Sequence, residues 1–156
     1  MSSAARPLEP SELDDLLRVA HAVAALAYAP YSGVRVGAAL LCADGEVFTG
    51  CNVENVSFGL TQCAERVAVA KAVSMGERSF RALVIATDHD DPLMPCGACR
   101  QVVHEFADDL EVICQGARGP RVRTRLAELL PQPLGPATLG GGPSAEGGSD
   151  RGEAGA

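Results

Sequence analysis

The sequence has few aromatic residues, few basic residues and no long apolar run, and each shortage excludes a class of protein. It has no Trp, and aromatic residues make up 4% of its 156 positions. Lys and Arg number 13 against 20 Asp and Glu, and a net charge of −7 argues against binding along a nucleic-acid backbone. No run of about 18 apolar residues is present, so no transmembrane helix is predicted. Six cysteines are too few for a small scaffold built on disulfides.

One apolar stretch, residues 22–29, ends in an A-x-A pattern that is found at signal-peptide cleavage sites. A signal peptide carries positive charge before its apolar run, whereas here the preceding residues include Glu9, Glu12, Asp14 and Asp15. The sequence therefore predicts a cytoplasmic protein with no membrane partner. Thiols stay reduced in the cytoplasm, so the cysteines are expected to be free, bound to metal or catalytic rather than bridged.

Hydrophobic periodicity predicts one α/β domain over residues 11–135. Ser11 and Asp14 form an S-x-x-D pattern that is typical of a helix start, and apolar residues follow at helical spacing. Alternating apolar residues around Asp44 and Gly45 predict a β-hairpin over residues 33–52. The remaining predicted elements are a helix at 63–75, a buried strand at 82–86, a helix at 97–107, strands at 110–114 and 121–124, and a helical turn at 125–130. This order predicts a sheet with helices packed on it.

Both ends of the chain are predicted to be disordered. Residues 1–10 hold two prolines and show no periodicity, and residues 136–156 form a Gly-rich tail. Segments of this composition cannot bury enough apolar area to offset the entropy lost on ordering.

Three cysteines stand apart because each lies where a helix is predicted to begin. Cys63 opens one predicted helix, and Cys96 and Cys99 form a C-x-x-C at the start of the next. Free amide groups and the positive end of the helix dipole favour thiolate at such positions. Three converging thiolates suit Zn²⁺, and three protein ligands leave a fourth position for water, as in catalytic zinc sites.

Two other interpretations of these cysteines remain open. A single C-x-x-C also occurs in redox pairs, although no thioredoxin-like βαβ order surrounds it here. A structural zinc site would need a fourth ligand, for which the sequence offers Cys42, Cys51, Cys114, His21, His89 and His104. Either interpretation would make the chain a zinc or redox module without enzyme activity.

Glu65 favours the catalytic interpretation. It lies in the first turn of an otherwise apolar helix, where a buried carboxylate is costly unless it has a partner. Beside a zinc-bound water it would serve as general acid and base. Arg66 follows it, and a guanidinium that hydrogen-bonds the thiolates would offset the excess negative charge of a three-cysteine zinc site. A surface salt bridge is the alternative role for Arg66.

Three blocks in order resemble the cytidine deaminase family in its small three-cysteine form. They are YSGVRVGAAL at 31–40, NVENVSFGLTQCAER at 52–66 and PCGACRQVVHEF at 95–106. The resemblance implies a three-layer α-β-α sandwich with a mixed five-stranded sheet. It also implies zinc-dependent deamination of cytidine or deoxycytidine in pyrimidine salvage, by a homotetramer that acts on small nucleosides.

The same resemblance implies roles for individual residues. Cys63, Cys96 and Cys99 would hold Zn²⁺, and Glu65 would carry protons between water, base and leaving ammonia. Asn52 and Glu54 would bind the ribose hydroxyls, and the Ala64 backbone would contact the base. Val34 occupies the position beside the pyrimidine.

Four positions depart from the family pattern. Val34 and Leu134 stand where the family commonly has Phe, Phe58 where it commonly has Tyr, and Met94 where a small polar residue commonly precedes Pro-Cys. Loss of aromatic contacts would weaken affinity, because an aromatic pair adds about 0.5–1.5 kcal/mol beyond buried area. An alternative function is therefore deamination of a bulkier or modified cytosine nucleoside in a pocket reshaped at Val34 and Leu134.

Overall fold

The computed structural model describes residues 6–135 and residue 138, so the predicted tail at 136–156 and residues 1–5 lie almost entirely outside the described part. The predicted elements occur in the predicted order, with one additional 3₁₀ turn before the second helix. The bounds are α1 Pro10–Ala24, β1 Val36–Cys42, β2 Val47–Cys51, a 3₁₀ turn Phe58–Leu60, α2 Ala64–Ser74, β3 Phe80–Thr87, α3 Gly97–His104, β4 Glu111–Gln115, β5 Val122–Arg125 and α4 Leu126–Leu129.

The strands form one mixed sheet in the order β2-β1-β3-β4-β5. β3 and β4 are parallel and are joined through α3, whereas the other neighbouring strands are antiparallel. The β1–β2 hairpin turns at Asp44 and Gly45, where Gly45 has a φ of +97° and Asp44 accepts a hydrogen bond from the Glu46 amide. The mixed five-stranded sheet that the resemblance implied is confirmed.

Helices cover both faces of the sheet, which makes three layers. Ala39, Val84 and Ile113 pack with α1 in one apolar cluster. Leu40 and Ile85 point to the other face and pack with α2 and α3 in a second cluster. Because β1 and β3 are covered on both faces, their side chains form continuous apolar runs. None of the described helices is long and apolar enough to cross a membrane.

Two glycines let helices lie directly against strands. A Cβ at Gly37 in β1 would overlap the carbonyl oxygen of Ala20 in α1. A Cβ at Gly50 in β2 would overlap the carbonyl oxygen of Ala64, the first residue of α2. Gly50 therefore allows the N-terminal turn of α2 to approach the sheet closely.

The packed part of the chain begins before residue 11, the predicted start of the domain. Leu8 is 5% exposed and joins the α1 cluster, and its amide donates to the Glu111 carboxylate at 3.1 Å. Glu111 also pairs with Arg123, so the segment is held at the β4–β5 edge. The helix begins at Pro10, where the Glu9 amide donates to Glu12, and not at the predicted Ser11 cap. For residues 6–10, the prediction of a disordered start is therefore not supported by the packing.

We expect Leu8→Ala to destabilise the protein by about 2–4 kcal/mol, because it removes a buried side chain from a packed cluster. Urea unfolding followed by circular dichroism measures this change. Leu26→Ala is the matched control, since Leu26 is 75% exposed and its truncation should change stability by less than about 0.5 kcal/mol. Equal stability of Leu8→Ala and the parent chain would contradict the observed packing.

Candidate active site

Two helix N-termini bring three sulfur atoms together at one end of the sheet. Cys63 immediately precedes α2, Cys96 immediately precedes α3, and Cys99 is the third residue of α3. The Sγ atom of Cys96 lies 4.0 Å from that of Cys63 and 3.5 Å from that of Cys99. All three Sγ atoms lie within 4.8 Å of one another.

This arrangement fits a zinc ion. Zn–S bonds of about 2.3 Å in tetrahedral geometry separate ligand sulfurs by about 3.8 Å, close to the two distances observed. Thiolate donors at helix N-termini also suit the metal's preference for soft, deprotonated ligands. The cluster contains no fourth His, Cys, Asp or Glu among the described residues.

The other cysteines lie away from this cluster. Cys42 and Cys114 are buried in strands, and burial raises the pKa of each thiol to about 12. Both therefore behave as protonated core residues. Cys51 is half-buried at the end of β2 and joins no metal-binding group in the described part of the chain. A fourth protein ligand, as a structural zinc site would need, is thus not supplied by these cysteines.

Glu65 places a carboxyl group beside the sulfur atoms. It is the second residue of α2 and only 5% exposed, yet it lines the adjoining cavity together with Cys63 and Cys96. Burial raises the pKa of Glu65, and the negative charge of Cys63 adds to the shift. A carboxyl group with a raised pKa is suited to accept a proton and return it, which is general acid and base chemistry.

Arg66 supplies positive charge to the same cluster. One terminal nitrogen, Nη2, donates to the Thr61 carbonyl at 2.7 Å and lies 3.9 Å from Cys63 Sγ. The pKa of Cys63 is lowered to about 5, first by a hydrogen bond from the Cys99 thiol and then by Arg66. The same hydrogen bond and burial raise the pKa of Cys99. Arg66 therefore contacts Cys63, and it forms no salt bridge with a carboxylate in the described part of the chain.

The cavity beside the cysteines has a volume of about 240 Å³. One part of its wall is apolar and another carries amide, hydroxyl and carboxyl groups. The residues that line it are Ser32, Val34, Val36, Asn52, Thr61, Cys63, Ala64, Glu65, Ile85, Leu93, Met94 and Cys96. A mixed wall of this kind suits a small planar heterocycle that carries hydroxyl groups. The sequence did not identify Ser32, Thr61 and Leu93 as cavity residues. They lie in loops, and no local pattern shows which loop residues will face a cavity once the chain has folded.

Asn52 and Glu54 hold the segment 31–36 that forms one side of the cavity. The Asn52 side chain accepts from the Val36 amide at 2.8 Å and donates to the Val34 carbonyl at 2.9 Å. The Glu54 carboxylate accepts from the Ser32 hydroxyl and from the Tyr31 and Ser32 amides. These hydrogen bonds, with Ser32 the largest contributor, lower the pKa of Glu54. Asn52 lines the cavity, whereas Glu54 is not among the lining residues.

Residues 10–115 match the family described as the cytidine and deoxycytidylate deaminase zinc-binding region. The chain belongs to this family. It is 50% identical over 106 residues to the cytidine deaminase of Sporosarcina psychrophila, which covers 67% of this chain and 78% of the relative. It is also 50% identical over 112 residues to that of Mycobacterium tuberculosis, with 72% and 81% covered.

Solved structures agree with this assignment. A cytidine deaminase from Burkholderia pseudomallei superposes with a TM-score of 0.74 at 44% identity, covering 78% of this chain and 98% of that one. Zinc-binding is a property of the deaminase family, and the three sulfur atoms provide a fitting donor set in this member. The chain is therefore a zinc-dependent deaminase, and the redox and purely structural interpretations of its cysteines are not supported.

The four departures from the family pattern fall in different places. Val34 and Met94 line the deaminase cavity. Phe58 lies outside it and packs edge-on against Tyr31, with ring centroids 6.0 Å apart. Leu134 is 55% exposed and does not line the cavity of its own chain. Within one chain, only the changes at Val34 and Met94 therefore alter the cavity wall.

Proposed function

We propose that this chain catalyses the hydrolytic deamination of cytidine and deoxycytidine to uridine and deoxyuridine, with release of ammonia, in pyrimidine salvage. The observation that carries the proposal is the buried Glu65 carboxyl beside three converging cysteines on the cavity wall. About 50% identity to proteins named cytidine deaminase supports cytidine itself as substrate, over the bulkier or modified nucleosides of the alternative.

Cys63, Cys96 and Cys99 would hold the zinc ion. When bound, zinc lowers the pKa of a coordinated water and so supplies a nucleophile near neutral pH. Arg66 would offset the charge of the cysteine thiolates, since its guanidinium already contacts Cys63.

Glu65 would carry the protons of the reaction. In zinc deaminases, water adds at C4 of the cytosine, and a glutamate that is not a metal ligand acts as general acid and base. Glu65 would take a proton from the attacking water and pass it to N3 of the ring. It would then take the proton of the new hydroxyl group on C4 and pass it to the departing amino group, so that the C4 carbonyl of the product forms. Breakage of the C4–N4 bond then releases ammonia. The burial of Glu65 supports this role because its raised pKa favours both uptake and return of a proton.

The polar wall would recognise the nucleoside. Asn52 uses one amide hydrogen and one lone pair on segment 31–36, so a second hydrogen and a second lone pair are free for a ribose hydroxyl. Glu54, which accepts a hydrogen bond from the Ser32 hydroxyl, would contribute to the same sugar contact. The Ala64 backbone and the Val34 side chain, both on the cavity wall, would contact the base.

We propose that the protein is a homotetramer. Six large apolar side chains, which we call the mouth patch, lie on segments that also contribute to the cavity wall, and each is at least 43% exposed: Tyr28, Tyr31, Val53, Val56, Phe58 and Leu60. Tyr28 pairs with Val53 in an isolated β-bridge, and the ring of Tyr31 packs against that of Phe58. Ser32 and Thr61, which follow Tyr31 and Leu60 in the sequence, line the cavity. Clusters of exposed apolar residues are typical of protein interfaces. A second copy of the chain is the occupant that the family resemblance favours.

We propose a cytoplasmic location as well. All six cysteines are free in the structure, which supports a reducing compartment.

Glu65→Gln should lower kcat for cytidine by at least about 100-fold, because an amide cannot carry protons. Loss of absorbance on conversion to uridine gives the rate, and metal analysis should still find about one zinc per chain. Glu46→Gln on the exposed hairpin turn makes the same chemical change away from the site and should keep full activity. Near-normal turnover by Glu65→Gln would refute the assigned role.

Cys96→Ala should lose most of its bound zinc, because it removes one of three thiolate ligands. Zinc per chain is measured by inductively coupled plasma mass spectrometry after gel filtration. Cys51→Ala is the matched control, and it should retain the parent zinc content. Full zinc content in Cys96→Ala would show that the ion binds elsewhere.

Phe58→Glu should shift the assembly toward dimers or monomers, because it places a charge in the mouth patch. Sedimentation velocity gives the molecular mass of the parent and the variant. Met75→Glu is the control, since Met75 is exposed at the opposite end of α2 from the cavity. A monomeric parent chain would contradict the homotetramer.

A further inference from the structure

Arg100 connects the segment that leads into Cys96 to the C-terminal part of the domain. It follows Cys99 in α3, and its Nε atom donates to the Pro95 carbonyl at 2.7 Å. Its Nη1 atom donates to the Leu129 carbonyl, at the end of α4, at 2.8 Å. No carboxylate pairs with this guanidinium among the described residues, so the hydrogen bonds seen there go to main-chain carbonyls.

The Pro95 carbonyl belongs to the peptide that leads directly into Cys96. Pro95 is buried, whereas Cys96 is exposed at the N-cap of α3 and makes no side-chain capping bond. The segment before Cys96 contains two prolines, and proline has no amide hydrogen with which to fix itself. The position of Cys96 Sγ therefore depends on the orientation of the Pro95–Cys96 peptide.

A guanidinium is suited to hold this peptide. Its donors form a rigid planar fork, so two hydrogen bonds to separate segments fix its orientation. The hydrogen bond from Nη1 to the Leu129 carbonyl fixes the guanidinium, and the hydrogen bond from Nε then fixes the Pro95 carbonyl.

Gln101, the next residue, provides an internal comparison. Its side-chain amide donates to the Leu134 carbonyl at 2.8 Å and accepts from the Leu134 amide at 3.2 Å. Arg100 and Gln101 thus both attach the chain after β5 to α3, but only Arg100 also reaches Pro95.

We propose that Arg100 is a positioning residue for the zinc site, which fixes the Pro95 carbonyl and thereby the Sγ atom of Cys96 relative to Cys63 and Cys99. This inference rests on the proposed role of the three cysteines as zinc ligands. Residues that orient metal ligands typically change metal affinity by about 10–100-fold when they are mutated.

The test compares zinc release from Arg100→Met, Arg100→Lys and Gln101→Met in the full chain. Zinc-loaded protein is mixed with excess chelator and a colorimetric zinc indicator, and the release rate is recorded together with the melting temperature. We expect Arg100→Met to release zinc at least about 10-fold faster than the parent. Arg100→Lys keeps a single charged donor for the Pro95 carbonyl. Its zinc release rate should therefore lie between that of the parent and that of Arg100→Met.

Gln101→Met separates positioning from general stability. It removes two hydrogen bonds to the C-terminal segment and should lower the melting temperature while leaving zinc release within about threefold of the parent. Equal zinc release from Arg100→Met and the parent would overturn the inference, as would equal acceleration in the Arg100 and Gln101 variants. If Arg100→Met does not fold, the Arg100→Lys and Gln101→Met pair makes the same comparison. Retention of zinc by Cys96→Ala would instead refute the ligand assignment itself.

Discussion

The active site depends on the meeting of two helix N-termini on one face of the sheet. α2 reaches this point because Gly50 lets its first turn touch β2, and α3 reaches it as the connection between the parallel strands β3 and β4. Both helices direct free amide groups and the positive ends of their dipoles at the same place. Three thiolates and a carboxylate would repel one another in an ordinary core. Here helix dipoles, Arg66 and the family's zinc ion favour the same arrangement.

A second layer of polar contacts gives the site its shape. Asn52 and Glu54 hold segment 31–36 from one side of the cavity, and Arg100 holds the Pro95 carbonyl from the other. Apart from the Ser32 hydroxyl, the groups that these side chains contact belong to the main chain, so the contacts fix backbone positions without requiring particular side chains at Val34 or Met94. The cavity can therefore carry Val34 and Met94 in place of the family's usual residues while the three sulfur atoms keep distances that fit zinc.

The elements and the chemical groups of the site were predictable from local patterns. The helix starts at Cys63 and Cys96, the turn at Asp44-Gly45 and the unusual carboxyl at Glu65 each depend on residues close in sequence. Prediction failed for Leu8, whose hydrogen-bonding partner Glu111 is 103 positions away. It also missed the contact of Asn52 with segment 31–36, because an N-x-E pattern in a polar loop does not show which backbone it will meet.

The sequence by itself determined the order of helices and strands, the set of three cysteines with Glu65, and the membership of a zinc deaminase family. Only the tertiary structure determined the strand order β2-β1-β3-β4-β5, the distances between the sulfur atoms, and the cavity that joins Glu65 to Asn52. The physical reason is that capping, turns and periodicity involve neighbours along the chain. Sheet order, burial and the reach of Arg100 to Leu129 arise from contacts between distant segments, which form only when the layers pack.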